Sequence, residues 1–135
     1  MPYMLDTNIC IYVMKAHPPE VLARLTALDQ GDVLMSVVTY AELRAGIETL
    51  TDTRFQNENA LRLLVRRIPV KHFDESAAES FGRLRAAVRD RRRDALDRLI
   101  AAHAVSLDAT LITNNETDFK DFPGLRVENW VNEPA

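Results

Sequence analysis

The chain has 135 residues, of which 47% are hydrophobic and 27% charged; it fits one folded domain over residues 1–135 and is too apolar for a disordered chain. The formal net charge of −3 excludes bulk attraction to nucleic acid, so any RNA contact needs a local basic patch. The single cysteine, Cys10, excludes an intramolecular disulfide, and the lack of an apolar run of about 18 residues excludes a membrane-spanning helix.

The first half of the chain alternates short apolar runs with amphipathic stretches. A strand is predicted at residues 2–5, where the apolar run ends in Asp6, and residues 9–13 are expected to continue the core as a helix. The next predicted elements are a helix over about 19–29 that begins at Pro18 and Pro19, a strand at 33–36, a helix that opens at 39, and an amphipathic helix at 54–66.

The second half continues this alternation. Its predicted elements are a short edge strand or connector at 68–70, a helix from an Asp74 cap to about 90, a helix from about 94 to 107, a strand at 109–113, and a last strand at 125–127. Strands that alternate with helices predict an α/β fold with a mainly parallel sheet. Ligands of such sheets bind outside the carboxyl ends of the strands, so polar residues there are candidates for a functional site.

Four acidic residues lie at or beside the edges of apolar segments: Asp6, Glu42, Asp97 and Asp118. Gathered at one sheet edge, four carboxylates would repel one another by roughly several kcal/mol at reduced dielectric. A Mg²⁺ or Mn²⁺ ion would relieve this repulsion, because hard cations prefer oxygen ligands. Such ions activate water and hold the leaving oxygen of a phosphodiester. The pattern therefore predicts a metal-dependent phosphodiester hydrolase in which these acids are catalytic and bind the metal.

Asp6 and Glu42 each have a structural alternative. Asp6 can cap the following helix, and Glu42 can complete a capping box that opens at Thr39. A zinc site is not indicated, because one cysteine and scattered histidines lack the usual ligand spacings. His103 lies within an apolar helical pattern and is expected to be a satisfied core or half-buried histidine.

The other two acids also have alternatives. Asp97, like Asp94 before it, lies at a predicted helix start, where an acid interacts favourably with the helix dipole. Asp118 can belong to a polar surface loop whose Phe119 packs inward. Thr7 and Asn115 are candidates to orient waters or a phosphate beside the acids.

Five segments of the chain carry a resemblance to a known family. Residues 4–8, 39–46, 97–104 and 113–119 are similar to the four signature blocks of PIN-domain ribonucleases, and they occur in the same order. The ending at residues 123–130 resembles that of the VapC toxins of bacterial type II toxin–antitoxin systems. The likeness covers nearly the whole chain.

The resemblance implies a PIN-domain-like three-layer α/β/α sandwich and a Mg²⁺- or Mn²⁺-dependent endoribonuclease. It implies a toxin that cleaves RNA, with tRNA as the first expected substrate. It also implies that a cognate VapB-like antitoxin neutralises this toxin. A homodimer in the cytoplasm is expected, with DNA contacted only through the antitoxin. An antitoxin segment can insert a basic side chain into the acidic pocket, where opposite charges attract.

The resemblance also assigns roles to residues. It implies that Asp6, Glu42 and Asp97 coordinate metal and that the last block supplies a fourth ligand. Many PIN domains have Asp at the position of Asn115, whereas VapC proteins of this form place an acid at Asp118. We therefore expect Asp118 to complete the site, with Asn115 assisting. Many relatives have a loop with Gly and Pro before Asp97, where this chain has residues 91–96, so the assisting role of Asp94 is a separate expectation.

A run of arginines precedes Asp97, and one more arginine follows it directly. We expect RNA phosphates to contact some members of this set, which are Arg91, Arg92, Arg93 and Arg98. The alternative is a solvated helix end with favourable charge. Two other functions remain open at this point: a non-enzymatic binding module whose acidic pocket receives a basic partner segment, and a DNA nuclease or phosphatase that uses the same ions.

Overall fold

The structure is a computed structural model that describes residues 2–88 and 95–132. Its strands are β1 Tyr3–Leu5, β2 Val33–Ser36, β3 Val70–Lys71, β4 Thr110–Ile112 and β5 Arg126–Glu128. Its α-helices are α1 Thr7–Lys15, α2 Pro19–Thr26, α3 Val37–Thr49, α4 Arg54–Arg67, α5 Glu75–Ala87, α6 Ala95–Ser106 and α7 Glu116–Phe119, and a 3₁₀ turn covers Thr51–Thr53. No helix among the described residues is long and apolar enough to cross a membrane.

The strands form one parallel sheet in the order β3-β2-β1-β4-β5. β1 occupies the centre, where Tyr3 lies opposite Val33 on one side and Thr110 on the other. The predicted α/β fold is confirmed, and the sheet is entirely parallel rather than mainly so.

Apolar side chains cover both faces of this sheet, because successive residues of a strand point to opposite faces. Leu5 and Ile112 pack with α1, α2, α3 and α4 in one core cluster. Met4 and Leu111 pack with α5 and α6 in the other cluster. The helices therefore form two layers around the sheet, and the predicted three-layer sandwich is confirmed.

Several predicted bounds differ from the structure. The second helix ends at Thr26 rather than near residue 29, and the third begins at Val37 rather than at 39. The predicted Asp74 cap is confirmed, since its carboxylate accepts the Ala77 amide over 2.9 Å. That helix ends at Ala87, before the predicted residue 90. Residues 89–94 lie outside the described residues, and with them the candidates Arg91, Arg92, Arg93 and Asp94.

Candidate active site

The carboxyl ends of β1 and β4 lie side by side at the point where the strand order of the sheet reverses. From β1 the chain proceeds outward through β2 and β3, then returns to the opposite side of β1 as β4. The Asp6 amide donates to the Ile112 carbonyl over 3.0 Å, which holds the two strand ends together. Open parallel sheets bind ligands in the crevice at such a switch point. Asp6 and Thr113, the residues directly after these strands, therefore occupy the expected position of a site.

Asp6 is a buried carboxylate with only 6% of its surface exposed. It caps α1, since its Oδ1 accepts the Ile9 amide over 2.9 Å, so the capping alternative is correct. Burial raises the pKa of Asp6, hydrogen bonds from the Thr113 hydroxyl and the Ile9 amide oppose this rise, and the charge of Glu42 adds to it. Capping therefore leaves the negative charge of Asp6 incompletely compensated.

Glu42 lies in the second turn of α3, half-buried beside α1. The Thr7 hydroxyl donates to Glu42 Oε1 over 2.6 Å, which ties the residue after Asp6 to this second acid. The capping-box alternative is wrong, because Ser36 rather than Thr39 caps α3 by accepting the Val38 amide. Glu42 is thus free of a capping role and is directed towards the β1 end.

Asp97 lies in the first turn of α6 and is half-buried. The Ala109 amide bonds to the Ala104 carbonyl over 2.9 Å, so a tight turn joins α6 to β4. Because α6 precedes β4 and is joined to its start by this turn, α6 runs in the opposite direction to β4. The first turn of α6 therefore lies towards the carboxyl ends of the strands. This direction brings Asp97 to the same edge as Asp6.

Asp118 connects to the same edge through hydrogen bonds. Asn115 Nδ2 donates to Asp118 Oδ2 over 2.6 Å, and the Asn115 backbone amide donates to Thr113 Oγ1 over 2.9 Å. The Thr113 hydroxyl in turn donates to the carboxylate of Asp6. The last predicted acid and its predicted assistant are therefore linked to Asp6 through Thr113.

The donor atoms at this edge are carboxylate and hydroxyl oxygens, which suit a hard divalent cation. Within residues 2–88 and 95–132, no three acidic, histidine or cysteine side chains approach closely enough to form a ready metal cluster. Instead, the Thr7 side chain donates a hydrogen bond to Glu42, and the Asn115 side chain donates one to Asp118. Metal binding by Asp6, Glu42, Asp97 and Asp118 therefore stays a prediction.

Comparison with known proteins identifies the family. The family model described as PIN domain matches residues 3–125. The chain belongs to the PIN-domain family. Among the relatives of this PIN domain, a Rickettsia felis protein named ribonuclease VapC2 is 35% identical over 133 residues, 96% of this chain and 98% of that protein. A Shigella flexneri protein named tRNA(fMet)-specific endonuclease VapC is 37% identical over 132 residues, with the same coverage of each chain.

Solved structures similar to this PIN domain come from toxin–antitoxin complexes. The structure of VapBC2 from Rickettsia felis bound to a DNA fragment from its promoter gives a TM-score of 0.89 at 33% identity, covering 97% of this chain and 100% of that one. VapBC-1 from Haemophilus influenzae gives a TM-score of 0.86 at 36% identity, covering 96% and 98%. The resemblance to VapC-type PIN-domain ribonucleases is confirmed.

Sequence reasoning missed one contributor to the site of this PIN domain, and two residues that it did single out are both buried. Thr113 is fully buried and bridges Asp6 to Asn115, yet a threonine at a strand end carries no distinctive signal. His103 was expected in the core, and it is buried with its Nδ1 2.8 Å from the Ser36 hydroxyl. Arg98 is 92% buried (8% exposed), so little of its guanidinium is available to RNA.

Proposed function

We propose that this chain is a VapC-type endoribonuclease, the toxin of a toxin–antitoxin pair. The observation that carries the proposal is the coupling of Asp6 and Glu42 at the β1–β4 switch point of a PIN domain. Two acids placed together in a half-buried crevice, with neutral hydroxyl partners, are poised to receive a cation. The relatives named ribonuclease VapC support the same reaction class.

We propose Asp6, Glu42, Asp97 and Asp118 as the residues that would hold Mg²⁺ or Mn²⁺. Such an ion supplies Lewis-acid stabilisation of the phosphate and a more acidic bound water. Thr7 and Thr113 hold the carboxylates of Glu42 and Asp6 in place. Asn115 orients Asp118, and Asp94 is proposed as a further assistant. Arg91, Arg92 and Arg93 are the proposed RNA contacts, and Arg98 is a weaker candidate because it is buried.

The proposed substrate is structured RNA, with tRNA first. The Shigella flexneri relative is named a tRNA(fMet)-specific endonuclease, which supports this substrate class for a chain that is 37% identical to it. Net charge does not drive the encounter, since the protein carries −3. Recognition must therefore come from local contacts near the acidic edge.

The proposed partner is a VapB-like antitoxin. A pocket of about 230 Å³ lies between α1, α3 and α4, lined mainly by apolar side chains such as Met14 and Ile47, and Glu42 is among its lining residues. An amphipathic helix that carries a basic side chain for Glu42 suits this apolar pocket, whose lining also includes Lys15. The VapBC complexes among the similar structures support this partner. We propose further that the toxin is a homodimer and contacts DNA only through the antitoxin.

A substrate panel tests the reaction class. Purified protein is mixed with tRNA, single-stranded DNA and a phosphomonoester, each with Mg²⁺, Mn²⁺ or a chelator. We expect cleavage of tRNA that requires the metal, with little or no turnover of the other substrates. Cleavage of DNA alone would contradict a ribonuclease. A lack of any turnover, with tight binding of a basic antitoxin peptide, would favour the binding-module alternative.

A further inference from the structure

Two amides and a phenol form a hydrogen-bonded row beside the acidic edge. The Val131 amide donates to Asn129 Oδ1 over 2.9 Å, and Asn129 Nδ2 donates to Asn114 Oδ1 over 3.1 Å. Asn114 Nδ2 reaches the Tyr12 hydroxyl over 3.5 Å. We call Tyr12, Asn114 and Asn129 the amide row. Every hydrogen bond in the row donates in the same direction, from Val131 towards Tyr12. The reason is that the Val131 backbone amide can only donate, which sets the accepting atom of each side-chain amide.

The amide row flanks the proposed catalytic acids on the β4–β5 side. Asn114 directly follows Thr113, whose hydroxyl donates to Asp6. Tyr12 lies on α1, the helix that Asp6 caps, and Asn129 directly follows β5. Glu42 approaches the same crevice from the other side of β1, on the helix that follows β2. A chain bound across the acids therefore meets the amide row next.

The row keeps hydrogen-bonding capacity for a ligand. An asparagine amide has two N–H donors and two acceptor lone pairs, and each amide of the row uses only part of this set. Asn114 is exposed and Asn129 is half-buried, so the remaining groups are accessible. Adjacent donors and acceptors match the edge of a nucleobase, and single-stranded RNA is read at such edges and at the 2′-hydroxyl.

The charge of the row also suits RNA. Asp6 and Glu42 repel phosphates unless a cation is bound, and the amide row adds no further negative charge next to them. The apolar pocket beside Glu42 suits a protein helix, whereas the exposed polar row offers little apolar surface to bury. These two surfaces therefore favour different ligands.

We propose that Tyr12, Asn114 and Asn129 form a nucleotide-recognition subsite that selects the nucleotide next to the cleaved phosphodiester. This inference rests on the proposed ribonuclease function. Asn114 and Asn129 contact the base edge or ribose, and the Tyr12 hydroxyl keeps the Asn114 amide in its orientation. Selection then depends on the row, while the acids act on a phosphate that every nucleotide shares.

The test compares single variants on short oligoribonucleotides that differ only in the nucleotides flanking the cut. The variants are Asn114→Ala, Asn129→Ala and Tyr12→Phe. Asn132→Ala is the matched control, since Asn132 is an exposed asparagine on the same tail that makes its hydrogen bond to Glu20 through its backbone. The measured quantity is the ratio of kcat/KM between the best and the worst flanking nucleotide.

We expect this ratio to fall by about tenfold or more in Asn114→Ala and Asn129→Ala, within the discrimination that one paired amide provides. Tyr12→Phe gives a smaller fall, and Asn132→Ala keeps the wild-type ratio. Equal loss of rate on every oligonucleotide with an unchanged ratio would overturn the inference. So would variants that weaken binding of a VapB-like antitoxin peptide and leave the ratio intact.

A binding measurement separates this inference from the proposed function. If the wild-type chain cuts none of the oligonucleotides, the proposed function fails, and fluorescence anisotropy then follows binding of the same labelled oligonucleotides. Binding that depends on the nucleotide and loses this dependence in Asn114→Ala sustains the subsite. No binding, or binding indifferent to the nucleotide, overturns it.

Discussion

Two groups of acids in this chain have opposite surroundings. At the end of β1, Asp6 is buried with a neutral hydroxyl partner and with Glu42 nearby, and its pKa is raised mainly by burial. Near the surface of α3 and α4, Glu48 and Glu58 face arginines instead. Hydrogen bonds from Arg54 lower the pKa of Glu48, and hydrogen bonds from Arg44 lower that of Glu58.

The difference shows which carboxylates have their negative charge balanced by basic side chains of the same fold. Arg44 lies 2.9 Å from Glu58, and Arg54 lies 2.8 Å from Glu48, so each surface carboxylate has a guanidinium partner. Asp6 has hydrogen bonds but, among the described residues, no basic side chain that acts on its pKa. An acid that is buried and left uncompensated is costly, and such cost concentrates at functional sites.

Asp6→Asn gives the largest expected effect. Asparagine caps helices about as well as aspartate, so α1 remains intact. RNA cleavage should fall by at least about 100-fold, since a proposed metal ligand is lost. Asp74→Asn is the matched control, because Asp74 caps α5 with the same 2.9 Å geometry but is exposed.

The same variant should be more stable than wild type when a chelator is present. The raised pKa of Asp6 means that the fold disfavours the charged form, so this acid contributes stability at low pH and loses it as pH rises through the folded pKa. A neutral amide removes that cost at pH 7. Thermal melts followed by circular dichroism measure the change, and a large drop in melting temperature would contradict it.

Divalent ions should stabilise the wild-type fold by binding only the folded state. Mn²⁺ at about 100 times its Kd raises the free energy of unfolding by about 2.7 kcal/mol. Glu42→Gln should reduce this gain, whereas Glu48→Gln should not, because Glu48 belongs to the compensated surface group. Melts with increasing Mn²⁺ provide the measurement, and equal gains in both variants would remove Glu42 from the metal site.

His103 should make stability depend on pH in the opposite direction to Asp6. Burial lowers the pKa of His103 from its ordinary value of 6.5. As pH falls below that value, His103 binds a proton in the unfolded chain but stays neutral in the folded chain. The free energy of unfolding therefore decreases. His103→Gln should flatten this dependence between about pH 7 and pH 5.5. His17→Gln, at an exposed position, should keep the wild-type slope in denaturant titrations.

The smallest effect is expected at the surface ion pairs. Glu48→Gln removes one carboxylate partner of Arg54 and one of Arg44, but exposed pairs contribute little because water and salt screen them. Cleavage should stay at the wild-type rate, and the melting temperature should change less than in Asp6→Asn. The difference in melting temperature between Glu48→Gln and the wild type should be smaller at high salt than at low salt. A loss of cleavage here would mean that the surface group takes part in function.

Local patterns were enough to predict the framework of the site. The apolar run that ends in Asp6 predicted a strand with a carboxylate at its end, and alternation of strands with helices predicted the parallel sheet. Asp74 was predicted as a cap and acts as one. These features depend on neighbours in sequence, so short stretches contain the necessary information.

Features that depend on distant residues were not predicted. One local feature also differs: the possible capping box predicts a helix start at Thr39, whereas Ser36 accepts the Val38 amide and begins the helix earlier. The bridge from Asp6 through Thr113 joins residues that only the β1–β4 pairing brings together. The amide row likewise needs α1, β4 and β5 to be in place.

The central position of β1 has a consequence for the timing of synthesis. The ribosome makes Asp6 and Glu42 early, but β1 pairs on one side with β4, at Thr110–Ile112. A nascent chain that has emerged only through α5 therefore lacks one wall of the crevice and the hydroxyl that holds Asp6. The candidate active site of each new molecule is therefore complete only when nearly the whole polypeptide has emerged from the ribosome.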